Sequence, residues 1–119
     1  MESCDGDRSE SVVASAYGAA MAVSANPAVA QHVTAVALEG GPGEEHELVR
    51  RTLRLAARTA PAPQYRRMSI EQREAVALAR PGGATADEIA ATLGVSAREA
   101  KRRMLGGLRA TAGAPAQVR

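Results

Sequence analysis

The sequence has no phenylalanine and no tryptophan, and its only aromatic residues are Tyr17 and Tyr65. A core built on large rings is thereby excluded. Cysteine occurs once, at Cys4, so neither a disulfide framework nor a thiolate metal cluster can form within the chain. A lone cysteine fits a reducing compartment, and a cytoplasmic location is expected. Long apolar runs are missing, which excludes a membrane-spanning segment and a membrane partner. One apolar stretch, "VVASAYGAAMAVSANPAVA", has the small-residue ending of a signal peptide. The residues before it carry Glu2, Asp5, Asp7 and Glu10 against Arg8 alone, whereas a signal peptide needs a positive leading region. Export is not expected. Runs of β-branched residues are scarce, which argues against a sheet.

What is abundant is alanine, 27 residues against 8 leucines. Alanine is the best helix former, so an all-α fold is expected, a small helical bundle. Alanine also buries little surface, and burial stabilises by only about 25 cal/mol per Å². The core must be thin, in a chain whose size already makes it marginal. Charge is unevenly placed. Residues 1–63 hold 8 acidic and 5 basic side chains, and residues 64–119 hold 5 acidic and 10 basic. A basic carboxy-terminal half is the electrostatic footprint of a nucleic-acid binder.

Residues 1–11 are acidic and polar and read as a disordered tail. A helix is expected over 12–24. Asn26-Pro27 marks the next start, with Asn as cap and Pro at the first helical position. The second helix, 27–38, places Val29, Val33, Val36 and Leu38 on or near one face. "EGGPGEE", 39–45, reads as a loop. A third helix over 44–59 turns Leu48, Leu53 and Ala56 inward and Arg50, Arg51, Arg54 and Arg58 largely outward. The "APAP" stretch at 60–63 is stiff, and the linker between two units is placed at 61–67. Beyond 109 a flexible tail, 110–119, is expected.

After the linker the helix starts become explicit. Ser69 with Gln72, Thr85 with Glu88 and Ser96 with Glu99 each have the capping-box spacing, in which each side chain satisfies an orphan backbone N–H of the other. Helices are expected at 70–80, 86–93 and 97–105, the last extending weakly to 109. Pro81-Gly82-Gly83 ends the first. Gly94 ends the second by tolerating the left-handed conformation. Gly106-Gly107 weakens the third. Ala75, Val76, Leu78 and Ala79 line the first helix, and Ile89, Ala90 and Leu93 line the second. Ala97, Ala100, Met104 and Leu108 repeat at three- and four-residue steps along the third.

Two helices joined by a three-residue turn containing glycine make a helix-turn-helix. Ala90 is small where the helices cross, Gly94 permits the turn, and Val95 plugs the corner. The second helix then presents "SAREAKRR" to a major groove. The expected DNA-binding set is Arg98, Glu99, Lys101 and Arg102 on the exposed face, Arg103 on its flank, and the caps Thr85 and Ser96. Arg66, Arg67 and Arg73 lie outside that helix, where they suit phosphates. Glu99 either caps its helix or accepts from cytosine, and the Ser96 spacing favours the cap.

From Met68 onward, residues 68–109 resemble region four of bacterial sigma factors of the extracytoplasmic-function group. The likeness rests on "MSIEQREAVALA" and "ATADEIAATLGVSAREAKRRM", including Glu88-Ile89-Ala90, Leu93-Gly94-Val95-Ser96 and the Lys101/Arg103 pair. Tyr17 to Leu38 is similar to the start of region two of the same family, and the two matches fall in the family's order. The resemblance implies a transcription factor that recognises double-stranded promoter DNA, a −35-like element, and works with core RNA polymerase. It also implies an anti-sigma factor as a possible partner. The amino-terminal half, 12–60, departs from the pattern. Gln31 and His32 stand where the family carries acids, and "EGGPGEEHELVRR" holds no aromatic residue where the promoter-melting segment belongs. The chain resembles a shortened, degenerate sigma factor. Two rivals share the pattern. LuxR-type regulators have a similar "EAV…EIA…LGVS" cadence, and a sigma-domain mimic would bind polymerase or an anti-sigma factor without reading DNA.

Nothing points to an enzyme or a cofactor. His32 and His46 are far apart in sequence. "EEHE", 44–47, is more simply a helix start with acids at the positive dipole end than a metal site. "RPGGA" is a helix-ending turn and not a phosphate cradle.

Overall fold

The described residues form six α-helices, most of them starting where caps and periodicity require. A computed structural model describes the backbone of residues 2–40, 44–59 and 61–118, and the side chains of 10–40, 44–59 and 61–111. The helices are α1 (Glu2–Ser24), α2 (Pro27–Glu39), α3 (Glu45–Thr59), α4 (Ile70–Ala79), α5 (Ala86–Leu93) and α6 (Ala97–Val118). A short 3-10 helix spans Pro63–Tyr65. The described residues include no strand. No described helix is long and apolar enough to cross a membrane. The expected side-chain character of Cys4, the middle of the 39–45 loop and residue 60 lie outside the described residues.

The starts follow the capping chemistry. The Asn26 side-chain oxygen accepts from the Ala28 and Val29 amides at 2.9 and 3.2 Å, with Pro27 in the first turn. The boxes at Ser69/Gln72 and Thr85/Glu88 are both complete. At α3 the Glu47 carboxylate accepts from the Glu44 amide at 3.2 Å, so "EEHE" begins a helix.

The core is thin, as the composition requires. Among the described residues, eleven of the twenty buried apolar ones are alanine, so the helices approach closely and bury little side-chain area each. Alanine loses no side-chain rotamer entropy on burial, which partly offsets the small area. The hydroxyls of Ser24, Thr34 and Thr52 are buried, and each donates to the carbonyl four residues earlier at 2.7–2.8 Å. Burying them therefore leaves no unpaired polar group.

Helix α1 packs on α2 and α3, α3 packs on α4, and α4 and α5 both pack on α6. One cluster of buried residues runs from Ala20 and Val23 through Leu53 and Ala57 to Leu78, Ile89 and Ala100. The 61–67 stretch is part of it and not a tether. Ala62, Tyr65 and Met68 are buried in the cluster, and the Ala62 amide donates to the Val23 carbonyl at 2.8 Å. Prolines there shape a packed corner.

Several expectations are corrected. Helix α1 starts at Glu2 and α6 runs to Val118, where helices were expected over 12–24 and 97–105 with a weak extension to 109. In α2 the buried face is Ala30, Val33, Thr34 and Ala37, while Val36 and Leu38 are exposed. Small residues, not the largest ones, meet α1 there. In α6, Leu108 is exposed and Gly107 is buried instead. A Cβ added to Gly107 would lie 2.7 Å from Val76 Cγ2 and 3.1 Å from Met68 Sδ. The glycine pair lets α6 cross α4 closely rather than ending it.

Candidate nucleic-acid interface

The α5–turn–α6 unit is built as its residues require. Gly94 adopts φ 72° and ψ 35°, the left-handed region. Its amide and that of Val95 both reach the Ala90 carbonyl, which closes the helix end. Ala90 and Ile89 are buried beneath the turn, and Val95 packs on the core. Ser96 Oγ accepts from the Glu99 amide at 3.0 Å, so α6 starts on a side-chain cap.

The basic residues in the first two turns of α6 line two separate hollows. One, a shallow cleft of about 640 Å³, is lined by Thr85, Ala86 and Asp87 at the start of α5 and by Ala97, Arg98 and Lys101. Arg98 and Lys101 are exposed, and among the described residues neither side chain makes a hydrogen bond or ion pair. Asp87 lies in the same cleft and was not anticipated. An acid in the first turn of α5 suits the positive end of the helix dipole.

In the other, Glu99, Arg102 and Arg103 gather beside Ser69, Glu71 and Gln72 at the start of α4. Arg102 donates through Nε to Glu99 Oε1 and through Nη2 to Oε2, both at 2.9 Å. Arg103 Nε donates to Oε2 at 2.8 Å. The Arg102 guanidinium first, and then that of Arg103, holds the Glu99 carboxyl down at about 2. The same pairing raises Arg102 above its ordinary value. This corrects the third capping box. Ser96 caps α6, but the Glu99 carboxylate is taken by two arginines. The Glu88 carboxyl is held below its ordinary value, chiefly by the hydrogen bond from the Thr85 amide.

The remaining candidates lie elsewhere. Arg73 donates through Nε to the Tyr65 carbonyl at 3.0 Å and through Nη2 to that of Arg66 at 3.4 Å. It fastens the 3-10 corner to α4. Arg66 shares a hollow with Arg73, Ser24 and Asn26 at the α1–α2 corner, away from the Arg98–Lys101 cleft. Arg67 is exposed on the same corner.

Sequence reasoning missed an ionic seam beneath the site. Glu74 on α4 has a buried side chain, 7% exposed. Its Oε2 receives Arg54 Nε at 3.2 Å and lies 3.6 Å from Arg58 Nε. Arg54 Nη1 also donates to the Thr92 carbonyl near the end of α5, at 3.4 Å. Arg50 pairs with Glu88 at 3.4 Å. Arg50 and Arg54, both half-buried, thus bind α3 to α4 and α5, and Arg58 reaches Glu74 from an exposed position. The available signal was their four-residue spacing, which makes one stripe on α3, and an acid inside the apolar stretch of α4.

Among the described residues, no group of three or more His, Cys, Asp or Glu side chains is placed to hold a metal ion. No protein-family model, curated protein or solved structure matches this chain.

Proposed function

We propose that this chain is a DNA-binding transcription factor, built like the fourth region of a sigma factor, that recognises a −35-like promoter element and acts with RNA polymerase. The observation that supports it most is the state of Arg98 and Lys101. Both are exposed and unpaired in the first two turns of a helix held by a glycine turn against a shorter helix. Cations left unpaired at the tip of such a pair match a duplex. Arg98 is suited to the bidentate edge of guanine, and Lys101 to guanine or phosphate. The start of α5, at Thr85, lies where the first helix of such a pair crosses the backbone.

The test is a binding titration of the full chain on a selected duplex and a scrambled one. Losing a base contact costs about 1–3 kcal/mol and relaxes preference at one position. Arg98→Ala is expected to behave so. Lys101→Ala is expected to weaken one or both duplexes. If neither substitution alters either affinity while helicity is intact, this face does not read DNA.

A second reading, the sigma-domain mimic, has one observation of its own. A largely apolar hollow of about 580 Å³ opens between α1 and α2, lined by Val13, Ala14, Tyr17, Ala35 and Leu38 together with Glu10, Gln31 and Thr34. Such a surface suits a protein partner, polymerase or an anti-sigma factor. Capture of core polymerase by a chain that binds no duplex would favour it.

A further inference from the structure

The ion pairing along α6 bears on which of its cations reach DNA. Successive residues of an α-helix are turned by about 100°. Taking Arg98 as the origin, Lys101 lies at about −60°, Arg102 at about +40°, Glu99 at about +100° and Arg103 at about +140°. Arg102 is therefore Arg98's natural neighbour, and by position alone it would extend the same cationic face. It does not. The Glu99 carboxylate stands between Arg102 and Arg103 in angle and binds both, one through two hydrogen bonds and the other through one.

The cluster lies against the start of α4, with Ser69, Glu71 and Gln72, and shares no lining residue with the cleft of Arg98 and Lys101. A single exposed ion pair is worth little because water screens it, and Arg102 is 76% exposed. Here, however, one carboxylate serves two guanidiniums. Glu99 and Arg103 are 29% and 24% exposed, so screening is reduced for that pair. Bidentate geometry and a three-charge network are the conditions under which such pairs count.

Resting on the DNA-binding reading, we infer that Glu99 is an internal counter-ion of the recognition helix. It holds Arg102 and Arg103 toward α4 and off the DNA, and leaves Arg98 and Lys101 to make the contact. Sequence-independent affinity comes mainly from cations on phosphates, and each such contact adds about 0.9 to the salt slope. A carboxylate that withdraws two arginines therefore limits non-specific binding without touching the duplex.

The test is the salt dependence of binding to a scrambled duplex, from about 50 to about 200 mM salt, with the full chain. Glu99→Gln is expected to steepen the slope by about one to two units. Adding Arg102→Ala and Arg103→Ala to it returns the slope to that of the unsubstituted chain. Asp87→Asn serves as the control, because it removes one negative charge from the Arg98–Lys101 cleft without releasing an arginine. It is expected to leave the slope unchanged. The double variant Arg102→Ala/Arg103→Ala, with Glu99 in place, is also expected to leave the slope unchanged, and this arm does not depend on how Glu99→Gln folds. The inference is overturned if that double variant flattens the slope by one to two units, if Glu99→Gln leaves it unchanged, or if Asp87→Asn steepens it equally. Binding by Glu99→Gln alone supports the brace. If neither the unsubstituted chain nor Glu99→Gln binds any duplex at the lowest salt, the DNA-binding reading fails and the brace fails with it.

Discussion

Two glycines show how differently one residue type can be used. Gly94 sits at φ 72° with nothing within 4 Å of an added Cβ. Its role is conformational, since the left-handed region costs other L-residues about 1–2 kcal/mol. Gly107 has ordinary helical backbone, but an added Cβ would crowd Val76, Met68 and Gln72. Its role is steric. Gly94→Ala is expected to cost about 1–2 kcal/mol and leave α6 in place. Gly107→Val should cost more, at the upper end of the 1–3 kcal/mol of overpacking or beyond it, because α6 must move from α4. Chemical denaturation of the two variants checks the order, and equal effects would contradict the steric account. The sequence marked Gly94 correctly because the turn chemistry is local. It misplaced Gly107, because closeness to α4 is not written in α6.

At the scale of elements, the starts of α2, α4 and α5 were legible from caps alone, since a cap is a bond between residues two or three apart. The start of α6 was half legible. Ser96 caps as expected, but Glu99 had a choice between a backbone N–H and two guanidiniums one turn further on, and side-chain geometry decided it. The arginine stripe of α3 was read as solvated because basic residues on helices usually are. Its acids, Glu74 and Glu88, lie on other helices. Removing one partner of a buried pair leaves an uncompensated charge, typically at about 3–5 kcal/mol. Arg54 is 35% exposed and Arg58 also reaches Glu74, so Arg54→Met should cost less, about 1–3 kcal/mol. The double variant Arg54→Met/Glu74→Leu should recover much of that loss, because no charge is left buried. Thermal unfolding of the two single variants and the double variant measures the coupling. Strict additivity would show that the seam does not join α3 to α4.

For the molecule as a whole, the continuity of the core has a direct consequence. Leu53, Ala56 and Ala57 of α3 lie in the same cluster as Leu78 and Ile89, and α3 packs broadly on α4. A fragment of residues 64–119 would expose that surface and lose Arg54 from Glu74. It is expected to be less helical per residue than the full chain and to unfold without a sharp transition. Circular dichroism of the fragment against the full chain tests this. A cooperative fragment with undiminished helicity would mean that the helix-turn-helix half folds alone. The 56 × 31 × 19 Å extents of the chain agree with helices laid side by side over a thin alanine core.

Everything carried by neighbours within a turn or two could be read from the residues alone: the all-helical class, most helix starts, the left-handed glycine and the helix-turn-helix cadence. These depend on propensity, caps and backbone conformation, all of them short-range. Only the tertiary structure decided which face of α2 is buried, that Ala62 and Tyr65 belong to the core, and that Arg73 and Arg54 hold carbonyls and carboxylates rather than facing solvent. It also decided that the cations of α6 divide, with Arg98 and Lys101 open and Arg102 and Arg103 tied to Glu99. The physical reason is that periodicity assigns a residue to an angle on its helix. What meets it at that angle is set by another helix, whose distance in sequence carries no local signal.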